Sequence, residues 1–91
     1  PIHPGEILRD EFLAEYRLSA NKVAADLGIN VGRLNEVISG QKPITAELAL
    51  RLSRYFSNSP EYWLNLQSGY DLAVAIKATD GLDAIHPVQA A

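Results

Sequence analysis

The chain has 91 residues, a single-domain length, with 47% apolar residues and a net charge of −3. It holds no cysteine, which excludes a disulfide framework and a thiolate zinc site. It has no apolar run of about 18 residues and no basic-then-apolar leader, so a transmembrane helix and an export signal are not expected and a reducing cytoplasm is.

The charge is unevenly spread. Between Arg17 and Arg54 stand six bases (Arg17, Lys22, Arg33, Lys42, Arg51, Arg54) against three acids (Asp26, Glu36, Glu47), a balance of +3. The remainder has two bases (Arg9, Lys77) and eight acids, a balance of −6. The central segment is therefore the one suited to face phosphates, although so few bases can also be unevenly placed by chance.

The first helix is expected over residues 4–16. Pro4 suits the first helical position, and Glu6 sits near the positive end of the helix dipole. Ile7, Leu8, Phe12 and Tyr16 are its candidate core residues. Asp10 and Glu11 are neighbours about 100° apart on a helix, which favours a solvated face over acid–base chemistry. Residues 19–40 then read as helix, tight turn, helix. Ser19 caps the second helix, and Val23, Ala24 and Leu27 form its apolar stripe. Gly28 ends it, because glycine takes the left-handed conformation without steric cost. Ile29 tucks under both helices. Asn30 caps the third helix, which buries Leu34, Val37 and Ile38 and stops at Gly40. Two short helices joined by a short glycine-containing turn form a helix-turn-helix, whose second helix enters the major groove of DNA.

Thr45 caps a fourth helix with Leu48, Leu52 and Phe56 at four-residue spacing, widened by Ala49 and Tyr55. Ser59 and Pro60 start a fifth helix, expected over residues 60–77 and apolar on more than one face. Trp63, Leu66, Tyr70, Leu72, Ala73 and Ile76 exceed what one small domain buries, so they form the candidate interface of a two-fold homodimer. Residues 1–77 are thus read as the domain. Residues 78–91 lack a helical period and read as a flexible tail, with a short strand possible at residues 82–85.

On the third helix, Arg33 is the leading candidate for base readout, since a guanidinium pairs bidentately with guanine; a phosphate salt bridge is its other role. Asn35 can bond adenine or stand as an exposed polar residue. Glu36 accepts from cytosine or, as favoured here, pairs with Arg33 three residues away. Gly32 allows close backbone approach at a cost of about 1 kcal/mol of helix propensity. Asn30 and Val31 form the tip, with Val31 facing a thymine methyl. Asn21, Lys22, Gln41 and Lys42 are candidate phosphate contacts.

Catalytic signals are absent. No phosphate loop or metal-ligand spacing occurs, and His3 and His86 lie at opposite ends and read as surface residues. The sequence points to no enzyme, no metal and no cofactor.

Three motifs carry a family resemblance: PIHPGEILRDEF at residues 1–12, GQKPITAELALRLS at 40–53 and SPEYWLNLQSGYDL at 59–72, joined by the LGIN turn at 27–30. With them the chain resembles the HigA/VapI antitoxins of the xenobiotic-response-element class of helix-turn-helix proteins. The resemblance implies an all-α, five-helix, lambda-repressor-like fold and a homodimer that represses its own operon at a palindromic operator. It also implies a partner toxin of HigB/RelE type, a small basic ribonuclease. The acidic first helix (Glu6, Asp10, Glu11, Glu15) complements such a toxin by charge, or is simply solvated. Two departures leave the operator sequence open: Ala20 stands where many relatives carry a DNA-contacting glutamine, and the helix VGRLNEV holds one base and one acid. A stand-alone repressor, or a protein-binding module of the same fold with little DNA affinity, are the alternatives.

Overall fold

A computed structural model describes residues 1–89; Ala90 and Ala91 of the expected tail lie outside the described residues. It contains five α-helices: α1 (Pro4–Ile7), α2 (Ala20–Leu27), α3 (Val31–Ile38), α4 (Ala46–Phe56) and α5 (Pro60–Ala78). Among the described residues there is no strand.

Each helix start has a local cause. Side-chain acceptors at His3, Ser19, Asn30, Thr45 and Ser59 take the backbone N–H groups of Gly5, Lys22, Gly32, Leu48 and Tyr62, which have no partner inside the helix. Gly28, at φ 73°, closes α2 by returning its N–H to Ala24 and Ala25.

α1 continues directly into a π-helical segment, Leu8–Leu13. One backbone bond spans five residues here, from Ala14 N to Arg9 O at 3.0 Å, and a second, from Leu18 N to Leu13 O at 2.8 Å, closes the turn that follows, where Arg17 takes φ 54°. The wider turn corrects the expectation of an uninterrupted α-helix to residue 16. One extra residue rotates everything after it relative to an α-helix. Leu13 therefore joins Leu8 in the core, while Tyr16, expected inside, is 60% exposed.

Leu8, Val23, Leu34, Leu48, Leu52 and Trp63 are fully buried at the centre. α4 packs against both α2 and α5, and α1 packs against α3 and α5. The N-terminal half of α5 thus belongs to the chain's own core. Trp63 is 0% exposed and donates its indole N–H to Asn58 Oδ1 at 2.9 Å. This removes it from the expected dimer interface. Its ring meets Phe12 at 4.7 Å and Tyr62 at 5.1 Å between centroids, an arrangement that drew it inward. Leu66 and Leu64 also pack on the core. Further along α5, Leu72 and Ile76 are 61% and 64% exposed.

His3 is a further correction. It is buried rather than a surface residue, with Nδ1 accepting from Gly5 N at 2.9 Å and its ring edge-on to Tyr70 at 4.8 Å. It joins the start of α1 to α5. Gly5 lies so close to α3 that a Cβ there would stand 1.9 Å from the carbonyl oxygen of Val37. The HPG stretch is therefore the point where the N-terminus grips α3. After α5, residues 82–84 form a 3-10 turn instead of the possible strand. No second chain segment is paired there, and an isolated strand has no ladder partner.

Candidate nucleic-acid interface

α2 and α3 make the expected helix-turn-helix, with Val23, Ala24, Leu27, Leu34 and Val37 buried between them and the core. The opposite surface of α3 exposes Gly32 and Asn35, with Asn30 at the tip. Gln41 and Lys42 are exposed in the following loop, where both backbone N–H groups donate to Glu36 O at 2.8 and 3.1 Å. That loop is also held from behind: Ile44 N donates to Gln67 Oε1 at 2.7 Å, a buried bond to α5. Asn21 and Lys22 are exposed at the start of α2. The expected phosphate contacts are therefore all exposed, Asn21 and Lys22 at the start of α2 and Gln41 and Lys42 after the C-terminal end of α3.

Several of these residues have structural duties. Asn30 Oδ1 accepts from Gly32 N at 2.7 Å, so its side chain is engaged as the α3 cap. A Cβ at position 32 would stand 2.8 Å from that oxygen, so Gly32 has a local reason apart from any approach to DNA. Val31 is partly buried against the core, which turns much of it away from a groove.

Lys22 and Arg33 are each paired with an acid. Lys22 Nζ lies 3.2 Å from Asp26, and Tyr55 Oη donates to the same carboxylate at 2.6 Å. The tyrosine hydroxyl and Lys22 together hold the Asp26 carboxyl below its ordinary value, and the carboxylate raises the Tyr55 phenol in turn. Arg33 does not pair with Glu36 as expected. Its Nη2 donates to Glu47 Oε1 at 2.7 Å, across to the first turn of α4. Long helical side chains lean toward the N-terminal end, which carries the guanidinium to the tip of α3 where α4 begins.

Glu47 and Arg51 were not among the expected site residues. Arg51 Nη2 lies 3.5 Å from Glu47 Oε2, and its Nη1 donates to Leu27 O at 2.8 Å. This last bond satisfies a carbonyl left open at the end of α2. The two side chains thereby tie α4 to both helices of the motif. The Glu–Arg spacing of four residues was the only local sign in the sequence. The link to Arg33, fourteen residues away in sequence, had none.

The acidic residues Glu6, Asp10, Glu11 and Glu15 are all exposed, on α1, the π-helical segment and the turn after it. Arg9 sits among them, 2.7 Å from Asp10 and 4.0 Å from Glu6, and its hydrogen bonds hold Asp10 below the ordinary carboxyl value. Among the described residues, no group of three acidic, histidine or cysteine side chains is placed to hold a metal ion. No helix there is long and apolar enough to cross a membrane.

Comparison with known proteins agrees with this geometry. The helix-turn-helix family profile matches residues 10–63. Virulence-associated protein I of Dichelobacter nodosus is 45% identical over 87 residues, covering 96% of this chain and 81% of that protein. A Pseudomonas aeruginosa protein solved in complex with its 18-base-pair operator DNA superposes with a TM-score of 0.92 at 45% identity, over 97% of each chain. The Pseudomonas aeruginosa antitoxin HigA, solved with the higBA promoter, superposes with a TM-score of 0.86 at 45% identity, over 98% of this chain and 96% of that one. Sequence, fold and motif geometry agree: the chain belongs to the helix-turn-helix family, in its HigA/VapI-type antitoxin branch.

Proposed function

We propose that this protein is a cytoplasmic antitoxin that acts as a homodimer, represses its own operon at a palindromic operator and neutralises a HigB/RelE-like ribonuclease toxin. The observation that carries the DNA-binding part is the near-full-length likeness to a protein held on its operator, in a chain whose helix-turn-helix exposes Asn30, Gly32 and Asn35. Arg33 and Asn35 read base edges, and Asn21, Lys22, Gln41 and Lys42 contact phosphates around the exposed tip of α3. Glu36 lines the same helix.

The homodimer reading rests on the second half of α5. Leu72 and Ile76 are apolar and exposed, with Tyr70 and Ala73 partly buried on the same half, while Leu66, also partly buried, lies in the half that packs on the core. A two-fold contact lets such a face bury itself and sets two recognition helices about one DNA turn apart. The radius of gyration, 16.6 Å, exceeds the ~12 Å expected for a compact 91-residue chain, consistent with a second half of α5 and a following segment (residues 79–89) that project from the core. The toxin reading rests on family membership and on the exposed acids Glu6, Asp10, Glu11 and Glu15, whose charge suits a basic partner.

The test is binding to duplex DNA from upstream of the chain's own gene, titrated with salt. The expected affinity falls steeply between about 50 and 200 mM salt, and Arg33→Ala weakens binding by about 1–3 kcal/mol. Flat or absent binding removes the DNA reading in favour of a protein-binding module. Co-expression with the adjacent open reading frame tests the toxin part: rescue of growth supports it, and a harmless neighbour favours a stand-alone repressor.

A further inference from the structure

Glu47 is exposed, and surface ion pairs contribute little to stability, so the tie it makes between α4 and α3 adds little to the fold and does not by itself account for its arrangement. Nor does helix capping. Thr45 Oγ1 already accepts from Leu48 N at 3.2 Å, and both Glu47 oxygens are turned to arginines. Among the described residues, no other acid pairs with Arg33.

We infer that Glu47 is a positioning residue for DNA readout: it fixes the Arg33 guanidinium on the recognition helix and, through its shared contact with Arg51, holds down attraction to DNA of the wrong sequence. The inference rests on the DNA-binding reading above and adds a determinant of specificity to it. A guanidinium has five N–H donors. Glu47 engages Nη2 at 2.7 Å and so sets the rotation of the planar group, while Arg33 stays 40% exposed with the remaining donors available. Bidentate pairing with guanine depends on that orientation. An unheld arginine adopts many rotamers and bonds phosphate in most of them.

The same carboxylate partly neutralises two cations. Arg33 and Arg51 together with Glu47 carry one net positive charge instead of two. Sequence-independent affinity scales with the cations presented to phosphate, so the pairing lowers binding to any duplex. Discrimination is a ratio of affinities, and it rises when the non-specific part falls.

The experiment uses the full chain and a duplex that the wild type selects from a randomised pool. Dissociation constants are measured for that duplex, for each single-base-pair variant of it and for a scrambled duplex, with wild type, Glu47→Gln, Arg33→Ala and the double variant. Arg33→Ala identifies the base pair read by Arg33. Glu47→Gln is expected to lose at least about fivefold of the preference at that same base pair, to bind the scrambled duplex more tightly, and to have no further effect at that base pair once Arg33 is alanine. Glu47→Ala repeats the measurement if the glutamine variant fails to melt cooperatively. A preference kept within about twofold of wild type overturns the inference, and so does a uniform loss across all duplexes, which is what a merely structural residue would produce. If the pool yields no enriched sequence, the DNA reading itself fails and takes the inference with it; enrichment followed by an intact preference removes the inference alone.

Discussion

Gly5→Ala is expected to be among the most damaging single-methyl additions in this chain. The new Cβ would lie 1.9 Å from the Val37 carbonyl oxygen and 2.9 Å from its carbon. Real Cβ atoms do not approach within 3.0 Å, so α1 and α3 must separate by at least about 1.1 Å. The obstructing atoms are backbone, so no rotamer change relieves the contact. Close-packed interiors lose about 1–3 kcal/mol to such overpacking, and the backbone contact puts this site near the upper end. For a domain of this size about 3 kcal/mol lowers Tm by about 12–24 °C. Gly69→Ala is the internal control. A Cβ there meets nothing within 4 Å, and Gly69 lies inside α5. Relief from glycine's backbone entropy should stabilise the helix by about 0.5–1 kcal/mol. Thermal unfolding of the two variants side by side is the assay. Gly5→Ala melting with wild type would refute the claim that HPG grips the recognition helix. A matched loss in Gly69→Ala would show that any methyl in these helices is harmful.

Three further outcomes are expected. Gln67→Leu strands the buried N–H of Ile44, which Gln67 accepts at 2.7 Å, and should cost about 1–3 kcal/mol in urea unfolding. Tyr55→Phe removes the 2.6 Å donor to Asp26, so the Asp26 carboxyl should titrate closer to its ordinary value when followed by carbon NMR. A carboxyl held low in the folded state adds stability above its unfolded pKa and loses it as pH falls through the folded one. The stability difference between wild type and Tyr55→Phe should therefore be present at neutral pH and vanish under acid; a difference independent of pH would contradict it. Leu72→Asp with Ile76→Asp should convert a dimer to a helical monomer in sedimentation, since both side chains are exposed in the protomer. A variant that stays dimeric places the interface elsewhere.

The recognition helix was legible in the chain because its determinants are local. A cap such as Asn30 bonds residues two or three positions on, Gly28 adopts its conformation alone, and the spacing of Leu34 and Val37 defines a buried face without reference to any other helix. The same holds for Ser19, Thr45 and Ser59, and Pro4 marked the first helix by its fit to the first helical position, which explains why all five helix starts were readable.

Departures from expectation come from contacts between residues far apart in the chain. The π-helical turn after Ile7 moves Leu13 inward and Tyr16 outward, and nothing in the apolar spacing marks it. Trp63 was counted as surplus because apolar residues on α5 can be tallied, but which of them the first helix covers depends on how Phe12 and Tyr62 meet it. His3 looked isolated because Tyr70, its ring partner, is sixty-seven positions away. Arg33 had a plausible acid three residues along, yet the packing of α4 supplied a better one in Glu47. The amino-acid sequence by itself thus determined where the helices start, the caps at Ser19, Asn30, Thr45 and Ser59, and the helix-turn-helix, all set by short-range bonds and periodicity. Only the tertiary structure decided which partner each charged or aromatic side chain meets, because that choice depends on helix packing that no local pattern encodes.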